Sequence, residues 1–545
     1  MVLIALRLHI SAILGYALFL AVFAAIEVGS YGSLGYGPGD RTSFVTQLGL
    51  IGRQTSYLVD MPVHLDVLAG YIQWFLLGFF SLFYSVWGLI AGTAAIRADE
   101  EKGLLEQWFA VGVSPVRLVF ARLLAFTIAA AASAGLVVAA TLLLALTTGQ
   151  RLPAGATFVQ AAIQLGPAVA LFAFGMLVAQ LFPTRRNALG AAGLVAVALL
   201  LLNGFSRSVE WLRPANLISP FAYPDRSHLM TPGGGFEPIS ALPWLVALLI
   251  AGLAANLHAR RDLGASWFQS RPHGDRPPGR EPSANPLLGI PALNVVWEQR
   301  LGLAAWSAGI IVYAVTNVPL AKPFQDFFSK GSSLTALQAK VAFGFSGRDP
   351  VIGFVSAEWF HTACLMLAVY AVTQVSRWAA DDSDGRLELI LSTGIPRWRV
   401  IAERAMALVA AAGVIALANV AGVMAGAAVS GISLDFGRVI WASFLILPVA
   451  MAFGAVGAAI SAIRPRPAVV VLIVILAVSY LTPLMGVPIF HKSPPDWYTN
   501  LSVFQLYGSP LVDGVSWWGF GILAGVSALG FGVSLLAIRN RDVGS

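Results

Sequence analysis

Apolar residues in this chain run in long blocks, without the alternation of a strand or the one-sided stripe of a soluble helix. Six blocks fall in the first half: Leu8 to Val28, Ala69 to Ile96, Val116 to Leu146, Phe158 to Phe182, Ala188 to Phe205 and Ala241 to His258. Six more follow: Leu301 to Leu320, Val351 to Ser376, Val400 to Ser430, Val439 to Ile463, Ala468 to Met485 and Val515 to Ile538. A helix crosses a bilayer with about 20 such residues, so the pattern predicts an all-α polytopic membrane protein of about twelve transmembrane helices. Composition agrees. Of 545 residues 57% are hydrophobic and 11% charged, where a soluble protein carries about 25% charge. A water-soluble globule is excluded.

Charge sets the orientation. With the N-terminus inside, roughly two thirds of the 34 basic residues fall on one face, including the compact turns Thr184-Arg-Arg-Asn187 and Arg464-Pro-Arg-Pro467. The positive-inside rule makes that face cytoplasmic and puts both termini there. The first block has no small-residue cleavage site after it and reads as a retained span. The single cysteine, Cys364, excludes a disulfide framework and a cysteine metal site.

Between the two sets of spans the chain turns polar and rich in Pro and Gly, as in Arg271-Pro-His-Gly-Asp-Arg-Pro-Pro-Gly-Arg280. This divides the chain into a first half, 1–260, a cytoplasmic linker without a core, 261–292, and a second half, 293–545. The halves match at an offset of 282: Asp99 with Asp381, Glu100 with Asp382, Gly103 with Gly385, Glu106 with Glu388, Gly112 with Gly394, Arg117 with Arg399, Arg122 with Arg404. Ala173-Phe-Gly175 answers Ala452-Phe-Gly454, each leading into a basic turn. With an even number of spans per half, this predicts two tandem six-helix repeats related by a pseudo-two-fold axis along the membrane normal, with a cavity between them.

The matched segment between the second and third spans of each half has its own grammar. Asp99-Glu-Glu101 and Asp381-Asp-Ser-Asp384 suit a helix N-terminus. Leu104, Leu105, Trp108 and Phe109, repeated by Leu387, Ile390 and Leu391, form an apolar face. Gly112 and Gly394 suit a helix C-terminus, and Pro115 and Pro396 can open the next helix. The expectation is a short amphipathic helix lying along the cytoplasmic surface in each half. Such a pair makes two sockets for a dimeric partner.

These motifs, with Gly112-Val-Ser-Pro-Val-Arg117 and Gly394-Ile-Pro-Arg-Trp-Arg399 closing them, resemble the coupling-helix region of ABC-2 type permeases. The fused twelve-span layout is similar to exporters of polyketide antibiotics and multidrug efflux subunits. That resemblance implies a bacterial plasma-membrane exporter of hydrophobic or amphipathic compounds (drug-like or lipid), whose short helices dock on a homodimer of a separate ATPase that holds ATP and Mg. It implies coupling roles for Glu101, Gly103, Glu106, Asp382, Gly385 and Glu388, with Ser383 departing from the pattern at the position of Glu101. It also implies capping elements in the Pro-rich segments 206–240 and 486–514. The chain has no phosphate-cradling G-x-x-x-x-G-K-[ST] loop, and Lys330-Gly-Ser-Ser lacks the glycine spacing for one. No cofactor is therefore expected on this chain, nor any nucleic-acid partner.

Substrate contacts are sought among polar and aromatic residues in the spans. Gln73, Trp74, Phe75, Phe79, Phe80 and Phe83, with Trp359, Tyr370 and Gln374, can present an aromatic wall. Glu358 and His361 can line an outer mouth, and Asp60, His64 and Asp66 hold the matching approach to the second span. Water contact at the membrane boundary or ordinary packing is the plainer explanation of each of these residues. A lone Glu/His pair supplies too few ligands for zinc. An ion- or proton-driven transporter is the alternative class. It calls for a buried carboxylate near the bilayer midplane, which no span offers obviously. A membrane enzyme acting on lipid-linked substrates would need clustered His, Asp and Glu side chains.

Overall fold

The computed structural model describes residues 1–33, 45, 48–49, 52, 61–208, 210–268, 291–322, 349–383, 385–490 and 494–540. Asp60, Asp384, the Lys330 segment and most of the 261–292 linker lie outside these, as do the side chains of Glu358 and Ser383. The described residues are helical with no strand, and the chain divides into two compact units, Met1–Pro278 and Gly279–Ser545.

The first unit holds six helices long and apolar enough to cross a membrane: Ile10–Gly29, Leu68–Glu101, Pro115–Thr147, Ala154–Leu181, Arg185–Gly204 and Pro238–Ala259. The second holds Gly302–Leu320, His361–Asp382, Arg397–Ser430, Phe436–Ile463 and Trp517–Arg539. We number these spans one to eleven. The expected twelfth is the helix Pro465–Phe490, of which only Pro467–Pro483 qualifies as apolar and described. Among the described residues, eleven helices and one shorter apolar helix therefore stand where twelve spans were expected.

Proline and hydrogen-bond register account for the other departures. Spans four and ten were read as continuous, but each is broken near its start. Ala154–Gln164 gives way to Gly166–Leu181, which has Pro167 in its first turn, and Phe436–Phe444 gives way to Leu447–Ile463, which has Pro448 there. A proline inside a helix removes an N–H donor and clashes with the preceding turn. Span two carries a π turn, Gln73–Leu77, just after its first turn, and a π turn at Val355–Phe360 leads into span eight. The two turns begin 282 residues apart.

Within the first unit span four packs on spans two and six, and span one packs on span three. Within the second, span ten packs on span eleven and span seven on span nine. A buried polar chain crosses the second core. Trp359 Nε1 donates to Asn419 Oδ1 (3.0 Å), and Asn419 Nδ2 donates to the Ser443 hydroxyl (3.0 Å), all three residues being buried. Asn419→Leu strands both partners, and is expected to cost about 1–2 kcal/mol. Thermal unfolding of the purified variant in nanodiscs measures this, and an unchanged midpoint would show the chain of bonds to be idle.

Candidate functional site

Each unit carries an elbow where its long second helix meets the next span. In the first unit span two ends through a π turn, Ala94–Ala98, and the short helix Asp99–Glu101. Gly103 then takes a left-handed φ of 67°, and a seven-residue helix, Leu104–Ala110, follows. Gly112 turns left-handed again at 81°, Ser114 caps the next helix by accepting from Arg117 N–H (3.3 Å), and Pro115 opens it. The second unit repeats this. Gly385 has φ 72°, the helix is Arg386–Ser392, also seven residues, and Gly394 has φ 81° before the helix Arg397–Ser430. Left-handed backbone costs a residue with a Cβ about 1–2 kcal/mol, so both glycine boundaries have a steric cause.

This corrects the placement of the acidic cluster. The carboxylates at 99–101 and 381–382 precede the left-handed glycine, at the C-terminal end of the incoming helix. Only Glu106 and Glu388 lie in the first turn of the short helices. Acids at a helix C-terminus oppose its dipole, and arginines offset the conflict. The Asp99 carboxylate pairs with Arg122 of span three. Glu100 pairs with Arg97 (2.9 Å) and Arg261 (2.7 Å). Glu101 Oε1 accepts from Arg185 N–H (2.7 Å), capping span five from a distance. In the second unit Asp381 lies 3.9 Å from Arg386 and 4.0 Å from Arg404.

The short helices present one face inward and one outward. Leu105 and Leu387 are buried, and the Phe109 ring lies 5.8 Å from that of His258 at the end of span six. Leu387 shares a cluster with Ile401 and Ile538. Leu104 and Ile390, expected on the apolar face, are exposed. The outward face carries Glu106, Gln107, Ala110 and Val111 in one unit and Glu388, Leu389, Ser392 and Thr393 in the other. With Val111 74% and Leu389 70% exposed, each face combines a carboxylate with apolar surface, which suits protein contact.

The opposite ends of spans two and four are tied to the polar loop before span six. Gln73 Nε2 bonds His228 Nδ1 (2.8 Å), Met230 N–H donates to Gln73 Oε1 (3.0 Å), and Leu229 N–H donates to Gln160 Oε1 (3.2 Å). In the second unit burial pushes the Tyr507 phenol well up, and it donates to the Ala442 carbonyl (2.9 Å). The expected aromatic wall is mostly internal packing. Gln73, Trp74, Phe80, Trp359, Tyr370 and Gln374 are buried. Phe75, Phe79 and Phe83 are half-buried, with Phe75 stacked on Phe23 of span one and Phe83 edge-on to Phe19. His361 sits half-buried beside the Tyr507 ring (6.4 Å), and His64 and Asp66 are exposed.

Three residues escaped the sequence reading. Glu27 is a buried carboxylate in span one, hydrogen-bonded by the Tyr71 hydroxyl; its two-residue distance from the end of the span hid it among boundary charges. Arg97 and Arg261 counted only as topology markers. The i,i+3 spacing of Arg97 and Glu100 was a legible signal for the first, while nothing local marks the second.

Residues 47–226 match the family model of the ABC-2 type transporter, and residues 291–539 match that of the multidrug efflux system permease Rv1217c, C-terminal domain. No curated protein matches the chain. One match covers the first elbow and its flanking spans, and the other covers the second elbow with nearly all of its unit. The two matches, with the long apolar helices, support an ABC-2 type permease, a multi-pass membrane subunit of an ABC exporter.

Proposed function

We propose that the two short helices are coupling helices on which a separate cytoplasmic ATPase dimer docks, one subunit on each, and that ATP and Mg are held there. The observation that carries this reading is the repetition of one elbow in both units: left-handed glycine, seven-residue helix with a first-turn glutamate, then a second left-handed glycine. The matched π turns at Gln73–Leu77 and Val355–Phe360 support descent of both halves from one six-helix repeat. In this reading Glu106 and Glu388 touch the ATPase, Gly103 and Gly385 set the angle of each helix, and Glu101 and Asp382 hold the elbow. ATP closure moves the helices and rocks the halves, driving substrate outward.

The cargo is a hydrophobic or amphipathic compound, drug-like or lipid, and the membrane is the bacterial plasma membrane, with both termini and the linker on its cytoplasmic side. Half-buried Phe75, Phe79 and Phe83 of the first unit and half-buried His361 of the second remain the candidates for pathway contact, while Gln73, Trp74, Trp359, Tyr370 and Gln374 are buried within their own units. Purification of the chain from its native membrane in mild detergent tests the reading. A soluble ATPase at two copies per permease is the expected companion; a chain that arrives alone and transports under a proton gradient without ATP overturns it.

A further inference from the structure

Past span six the chain turns back. Residues 261–268 lie across the ends of spans two and four as an irregular strap, where the sequence suggested only linker. Gly264 N–H donates to Glu100 Oε1 (2.6 Å), Trp267 N–H to the Gln180 carbonyl (3.3 Å) and Phe268 N–H to the Leu181 carbonyl (2.9 Å). Beneath these bonds sits a buried triad. Glu100 Oε2 accepts from both Arg97 and Arg261, and the three side chains are only 2–6% exposed. Both guanidiniums also donate to the Ala265 carbonyl, and Arg97 Nε donates to the Ala179 carbonyl (3.2 Å). Charges withdrawn from water this far persist only when they are paired and bonded on several sides, and such a network has one geometry.

We infer that Arg97, Glu100 and Arg261 are positioning residues, which through the strap make the first coupling helix a rigid extension of its transmembrane unit while the second keeps play. The inference rests on the coupling role proposed above. The second elbow is built differently. Ala379 stands where Arg97 stands, and Asp381, the match of Asp99, is 36% exposed with Arg386 and Arg404 at 3.9 and 4.0 Å. Behind the helix Arg386–Ser392 is a cavity of about 20 Å³ bounded by Asp382, Leu387, Arg404, Ser461 and Ser534, which has room for one water. The Ser534 hydroxyl there is buried with no hydrogen-bond partner. A helix seated over such a gap yields to load sooner than one that follows a triad tied to the strap and to span four, even with the Arg261 Nε buried without a partner. Two identical ATPase subunits would then push on unequal levers, one stiff and one compliant.

Hydrogen exchange on the full chain in nanodiscs reads this without any partner. Amides of 104–112 are expected to exchange about tenfold or more slowly than those of 386–394. Glu100→Gln leaves two buried guanidiniums short of a counter-charge, and should raise exchange at 104–112 and 261–268 by about tenfold or more while 115–147 stays protected. The charge-free triple variant Arg97→Met, Glu100→Leu, Arg261→Met removes the strap's anchors without stranding a charge. It gives the same readout should Glu100→Gln not fold. Bound to its co-purified ATPase, the triple variant is expected to keep the complex and the KM for ATP but lose kcat several-fold. Equal exchange of the two helices in the wild type, or unchanged protection of 104–112 in the triple variant, overturns the inference. If the wild-type chain binds no ATPase, the coupling reading falls and the exchange difference still stands.

Discussion

Lysine at both Glu106 and Glu388 is expected to strip the ATPase from the permease and leave the membrane protein folded. Both glutamates are exposed, in the first turn of a seven-residue helix, on the face turned away from buried Leu105 and Leu387. Among the described residues neither makes an intramolecular ion pair, in contrast to Asp99 and Glu100. The folding cost is therefore a weakened dipole interaction, about 0.5–1 kcal/mol per site. At an interface the effect is larger, because a reversed charge strands its partner as well as losing its own bond. A loss of about 3 kcal/mol per site lowers affinity more than a hundredfold. Co-purification on a tagged permease, with thermal unfolding alongside, separates the outcomes. A double variant that still carries its ATPase in full amount removes these helices from the docking surface.

Leucine at Gly88 and Gly92 together is expected to abolish folding of the first unit. The two glycines sit one turn apart on span two, and a Cβ at either would fall on a carbonyl oxygen of span four, that of Ala168 for Gly88 and that of Phe172 for Gly92. From the other side a Cβ on Gly175 would lie 3.0 Å from the Leu89 carbonyl. The obstacles are backbone, which no rotamer change can clear. Helices in lipid gain nothing from hiding apolar surface from one another and associate through close packing, so forcing these apart forfeits the contact outright. The cost is about 3 kcal/mol or more per site, a large share of a typical domain's 5–15 kcal/mol. Leucine at Gly135 and Gly190, where nothing lies within 4 Å, is the matched control. Size-exclusion profiles of fluorescently tagged variants should show aggregation for the first pair and a normal peak for the second. A normal peak for both would mean that spans two and four do not approach as closely as described.

That interface also explains why two expected pathway residues are buried. At the offset of 282, Tyr370 and Gln374 occupy the positions of Gly88 and Gly92, so the second unit cannot bring its corresponding helices together in the same way. Close approaches in that unit lie elsewhere: a Cβ on Gly530 of span eleven would meet the backbone of Ala455 in span ten, and one on Gly426 of span nine would lie 3.0 Å from the Ala314 carbonyl of span seven. Tyr370 fills space beside Trp306 (5.9 Å between rings). Matching positions in the two halves thus carry different packing duties, a difference that a motif comparison cannot reveal.

Most of the spans, and the short helices closed by Gly112 and Gly394, were legible along the chain. Each follows from local chemistry: about 20 apolar residues suit a bilayer, and a glycine just past a helical run favours a left-handed turn. The amphipathic reading of the short helices held for Leu105 and Leu387 and failed for Leu104 and Ile390, because the width of a buried stripe depends on what packs against it. The duties of the acidic cluster were decided by tertiary structure alone. Glu100 finds Arg261 and Gly264 more than 160 residues away, and Glu101 finds Arg185. In sequence these were a run of charges beside a short helix; in the fold each has a different partner on a different element. Hydropathy and turn chemistry are summed over neighbours in the chain, whereas an ion pair depends on a distance of a few ångströms between groups that only the packing of the spans brings together.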